Sequence, residues 1–240
     1  MVENEYSRLI DFLCKIEAWD NDEMFLRDAI IMSSAKLLVK CHEEVNQSNV
    51  VIIAPLLRQV QENIIVVLGL QEEVLTAEKF INDKHKPSNT MEQKKKKRLE
   101  NEENKFDCVN NYLKVIKEIL NKYSHTNFEG VMILFTERFQ IYEAQQFSKI
   151  TMKFIISLIE TPFFAIVNHI YKLNMKLLKV EKLQKELKEL GTLKYITRYF
   201  PDSIKEFINQ SEVLKKYYLN AMADFKKIFQ EYKEIKSVKL

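Results

Sequence analysis

Two short stretches carry polar side chains where their surroundings are apolar. Arg58-Gln-Val-Gln-Glu62 lies inside a run of valine, isoleucine and leucine, and Asn121-Lys-Tyr-Ser-His125-Thr-Asn127 closes another apolar segment. Burying such groups without partners costs roughly 2–7 kcal/mol each on transfer scales, so they are expected to pair with one another or to face a cleft. Arg58 and Glu62 are four apart and share a helix face. One reading is a structural ion pair or a solvent-facing stripe. The other is an arginine steadied by Glu62 and aimed at an anion or at His125. His125 stands among Ser124, Thr126 and Asn127, whose side chains bond readily to nearby backbone, which fits an ordinary cap and turn. The same imidazole also fits proton transfer near neutral pH or contact with phosphate. Ser124 and Asn121 supply polar support beside it. Glu160 interrupts an apolar stretch of its own and either completes this cluster or faces water just before Pro162. His42, His85 and His169 read as incidental.

Other chemistries are poorly served. The chain has no HExxH, GxxxxGK[ST] or GxSxG motif and no dinucleotide-binding glycine pattern. Cys14, Cys41 and Cys108 are scattered and odd in number, which supports neither a zinc site nor a disulfide framework. Reduced thiols in a cytoplasmic protein are the expectation, with no metal and no cofactor. The run Lys94-Lys-Lys-Lys-Lys97-Arg98 has two readings: a surface for RNA or acidic partners, or a solvated helix start flanked by Glu92, Glu100, Glu102 and Glu103.

The scaffold holding these residues is predicted from composition and period. At 240 residues the chain can bury a sizeable core. Three glycines and four prolines are too few for a fold built on many tight turns. They point to long helices joined by short polar loops. A formal charge of +3 describes a solvated surface rather than a nucleic-acid binder. The N-terminus has no basic region followed by an apolar one, so no signal peptide is expected. Val50–Leu70 and Ile150–Ile170 approach membrane length. Arg58 and Glu62 interrupt the first, and Lys153, Glu160 and His169 the second, so both are expected as core helices rather than membrane spans.

Tyr6, Leu9, Ile10, Leu13 and Ile16 mark the inner face of a first helix. Asp20-Asn-Asp-Glu caps a second, from about Glu23 to Glu44. Ser48 or Asn49 opens a third that runs to about Gln71, with Pro55 kinking it or starting its regular part. After the break at His85–Arg98, Phe106 to Leu120 forms a fourth helix. Val131–Phe135 is open to a strand or a helical turn. A long helix from about Gln140 to Leu173 should bend at Pro162. Leu173 to Leu190 then alternates four- and three-residue spacings, a narrow seam ended by Gly191. Ser203-Ile-Lys-Glu206 is a capping box opening a last helix to Tyr232. The expected fold is all-α: a helical bundle over residues 1–172 with a C-terminal antiparallel hairpin, 173–240, packed on it.

The order of an Arg-x-x-x-Glu helix, a charged break and a helix ending in Ser124-His125 resembles HEPN-like bacterial proteins. In particular it resembles the branch near abortive-infection, phage-defence proteins, over about residues 25–170. The resemblance implies a homodimer and, for many members, a metal-independent RNase that pairs Arg with His in an Arg-x(4–6)-His motif. Here the residues four to seven before His125 are Glu118, Ile119, Leu120 and Asn121, so that arginine is absent. Asn121 and Lys122 do not replace a guanidinium's fixed fork, and Arg58 is the cation left to act with His125. Two functions follow. One is a non-enzymatic helical interaction protein, a possible defence component with a homodimeric or other protein partner. The other is an RNase with His125 as acid/base and Arg58 on the phosphate.

Overall fold

In the computed structural model the described residues are 2–47, 49–82, 112–114, 116–117, 120–121, 142–176, 206, 210–213 and 216. Among them the regular structure is helical, with no strand. Four helices follow one another from the N-terminus: α1 (Val2–Leu13), α2 (Asp22–Asn46), α3 (Val50–Gln71) and the short α4 (Ala77–Asn82). The fifth labelled here, α5, spans Tyr142–Tyr171. Residues 112–114, 116–117 and 120–121 are also helical. Most of the expected C-terminal hairpin, the apolar run at 131–135 and the basic run at 94–98 lie outside the described residues.

Helix α2 begins where a side chain satisfies its free amide groups. Asn21 is the cap, and its Oδ1 accepts from Met24 N at 2.8 Å. Asp22 and Glu23 in the first turn suit the positive end of the helix. Its buried face repeats at helical spacing through Ile31, Ala35, Leu38, Cys41 and Val45. Helix α3 buries Ile53, Ala54, Leu57, Val60 and Ile64. The two long helices pack along each other; α1 lies against α2, and α5 touches both α2 and α3. The main core runs from Tyr6 and Leu9 through Leu38 and Leu57 to Phe154, Ile159 and Phe164, and Val66, Leu70 and Leu75 form a smaller cluster. Helices α3 and α5 are each long and apolar enough to cross a membrane by length and composition. Most of each apolar window is packed against the other helices.

Among the described residues, Pro55 and Pro162 fall inside continuous helices. Pro162 has no N–H to give the carbonyl of Leu158, one turn earlier. The hydroxyl of buried Tyr112 donates to that carbonyl at 2.8 Å instead. Two further hydroxyls back-bond along the same helix, Ser157 to Lys153 O and Thr161 to Ser157 O, each at 2.9 Å. The chain leaves α5 through Lys172, whose φ of 56° closes the helix in the left-handed region. Asn168 then holds the exit, donating to Met175 O at 3.0 Å and accepting from Met175 N at 2.5 Å. Arg8 of α1 donates to the carbonyl of Leu173.

Candidate functional site

The stretch 58–62 divides by helical angle. Arg58 and Glu62 lie on the outer side of α3 and pair with each other, Nε to Oε1 at 3.4 Å, with side chains 35% and 51% exposed. Gln59 is exposed as well. Gln61 turns inward with Leu57, Val60 and Ile64 and is fully buried. Among the described residues neither of its amide atoms has a hydrogen-bond partner. Asn63, two residues on, donates to Ser34 Oγ of α2 at 3.0 Å. His125 and Ser124 lie outside the described residues. Asn121 is helical and half-buried.

Glu160 is where buried polar chemistry collects. It is 1% exposed, deep in α5. Its Oε1 accepts the hydroxyl of Tyr6 from α1 and stands 2.5 Å from Nε2 of His42 on α2, again at 2.5 Å for Tyr6. One oxygen therefore joins three helices. Tyr6 is 1% exposed, while the His42 side chain keeps 21% of its surface. The Tyr6 ring also leans on Phe164 at 5.2 Å. Burial first, and then the charge and hydrogen bond of Glu160, push the Tyr6 hydroxyl well above its ordinary pKa. Burial, with the charges of Glu160 and Glu44, lifts the Cys41 thiol from 9.0 to about 12. Such a thiol stays protonated and unreactive at neutral pH. Chemically, this is an imidazole oriented by a buried carboxylate.

Glu160 was legible from sequence as a polar interruption, but its partners were not. It meets Tyr6 and His42 rather than Arg58 or Glu62. His42, which reads as incidental in sequence, carried one signal. It lies four residues beyond Leu38 and next to Cys41, on the edge of the inward face of α2.

A second cluster escaped sequence reasoning. A cleft of about 360 Å³ opens where the α1–α2 loop meets the start of α2 and the ends of α3 and α5. Its floor is Asp28, which is buried and accepts from Trp19 Nε1 at 3.1 Å and from Arg27 Nε at 3.0 Å. Arg27 Nη2 lies 2.9 Å from the same carboxylate, and the Tyr171 hydroxyl donates to it too. Arg27 Nη1 reaches Gln71 Oε1 at 3.0 Å, and its guanidinium carbon lies 5.7 Å from the Tyr171 ring centre. Burial and then Asp28 raise the pKa of the Tyr171 hydroxyl. His169, exposed, lines the wall. The available signal was Asp28 itself, which stands on the same face as Ile31, Ala35 and Leu38. An acid on an inward face needs partners.

Among the described residues no group of His, Cys, Asp and Glu is arranged to hold a metal ion. No family model, curated protein or solved structure matches the chain. What it does therefore rests on the chemistry of these residues.

Proposed function

We propose that the chain is a non-enzymatic helical interaction protein of the cytoplasm. Following its resemblance to the HEPN-like, abortive-infection-type proteins, it acts as a homodimeric component of a bacterial phage-defence system. The observation that carries this reading is the use to which Glu160 is put. Its hydrogen-bonding oxygen is spent on Tyr6 and His42, in an interior that seals the carboxylate. Through that oxygen the carboxylate joins three helices, while its Oε2 is buried with no hydrogen-bond partner among the described residues, away from any substrate in solvent. Arg27 is likewise matched by Asp28 and Gln71.

The second reading is a metal-independent RNase using His125 and Arg58. Arg58 favours it in one respect: with a side chain 35% exposed, its guanidinium is within reach of solvent. Incubating the purified chain with structured and unstructured RNA in chelator separates the two. Intact RNA is the expected result. Cleavage that disappears in His125→Ala overturns the binding reading.

A further inference from the structure

The cleft beside Trp19 combines exposed aromatic surface with a neutralised floor, and the loop that carries the tryptophan is acidic. Trp19 is the chain's one tryptophan and is 38% exposed. Phe25, 49% exposed, meets it edge to face at 5.0 Å. Large aromatic surface held in water beside a cleft is characteristic of binding surfaces. Within the floor, Arg27 gives two of its nitrogens to Asp28 and a third to Gln71, so its charge is not offered to an anion. The loop that carries Trp19 has the opposite sign. Glu17, Asp20 and Asp22 are exposed on the segment that carries Trp19, and exposed Glu73 follows Gln71 at the end of α3. Lys15 and Lys172 are the exposed lysines adjoining the cleft in sequence. A chain of formal charge +3 thus presents a locally acidic corner around its tryptophan.

We infer that this cleft docks a lysine- or arginine-bearing segment of a protein partner. The aliphatic stem of such a side chain lies along Trp19 and Phe25, and its cationic head meets the Glu17 and Asp20 carboxylates. Phosphate is repelled by the same carboxylates, so nucleic acid is a poor occupant. The inference rests on the interaction-protein reading and gives the partner its chemistry.

Trp19 makes the test local, because the intrinsic tryptophan emission of the whole chain comes from the cleft. The full chain is titrated with octalysine, and in parallel with octaglutamate and a fluorescein-labelled RNA 20-mer followed by anisotropy. Octalysine is expected to shift Trp19 emission saturably, while octaglutamate and RNA do not bind. In the double variant Glu17→Lys/Asp20→Lys, both substitutions lie in the exposed loop, and circular dichroism checks that the helices persist. Octalysine affinity should fall about tenfold or more there. Glu43→Lys, about 32 Å along α2 from Asp22 at 1.5 Å per residue, serves as the control and should leave affinity unchanged. Three results overturn the inference: no saturable shift, equal weakening by Glu43→Lys, or octaglutamate or RNA binding as tightly as octalysine. RNA cut by the wild-type chain while octalysine still binds would remove the functional reading and leave the docking site standing. Intact RNA without octalysine binding would do the reverse.

Discussion

Glu160 joins three helices through one oxygen, and that geometry sets the cost of disturbing it. Tyr6→Phe deletes a hydrogen bond to a buried carboxylate, an interaction of about 1.5–3 kcal/mol for charged acceptors. Urea unfolding should show a loss in that range. Glu160→Ala should lose more, about 3–5 kcal/mol, because it leaves Tyr6 and His42 without their acceptor. A Tyr6→Phe chain as stable as wild type would show that the joint contributes nothing. Cys41 gives a second expectation. Its folded pKa, about 12, stands above its ordinary 9.0. A raised pKa means that the folded chain holds the proton more tightly. Its contribution to stability is complete below about pH 9 and is lost as the pH rises toward 12. Alkaline melts should show this decline. Iodoacetamide at pH 8, followed by peptide mapping, should label exposed Cys14 quickly and buried Cys41 only on unfolding. At this scale sequence showed which residues were out of place and seldom what they met. Glu160 and the 58–62 stretch were conspicuous as polar groups in apolar runs. Tyr6 was legible as an inward-facing ring, but its hydroxyl partner lies 154 residues away. No local pattern encodes that separation.

Helices were the more legible unit, because burial repeats with the helical period. The expected second and third helices fall within about two residues of α2 and α3 at their ends, and the long helix from about Gln140 matches α5. Pro162 lies inside α5, which continues from Tyr142 to Tyr171, and the hydroxyl of Tyr112 gives the Leu158 carbonyl the hydrogen bond that Pro162 withholds. Tyr112→Phe should therefore cost about 1–3 kcal/mol by leaving a buried carbonyl unmet. Pro162→Ala restores an N–H to the same carbonyl. In a double-mutant cycle followed by thermal denaturation, the cost of Tyr112→Phe should shrink in the Pro162→Ala background. An unchanged cost would show that Tyr112 acts through packing alone.

At the scale of the molecule, the all-α class and the order of the first helices followed from sparse glycine and steady amphipathic spacing. The cleft did not, because it is made by the ends of α2, α3 and α5 together with a loop. Ends are brought together by packing, and periodicity says nothing about where they meet. The proposed homodimer is checked by light scattering at tens of micromolar. A mass of twice 28.6 kDa is expected, and a single-chain mass would count against it. The binding reading itself is tested most directly by wild type, His125→Ala and Arg58→Ala, each prepared once and examined for both melting temperature and RNA integrity in chelator. The Arg58–Glu62 pair is a partly exposed contact at 3.4 Å, of a kind worth at most about 1 kcal/mol. Loss of that contact should lower the melting temperature of Arg58→Ala by about 2–4 °C. RNA should stay intact with all three proteins. Cleavage by the wild-type chain, falling by a factor of about 10²–10⁴ in either variant while the melting temperature holds, would contradict the account.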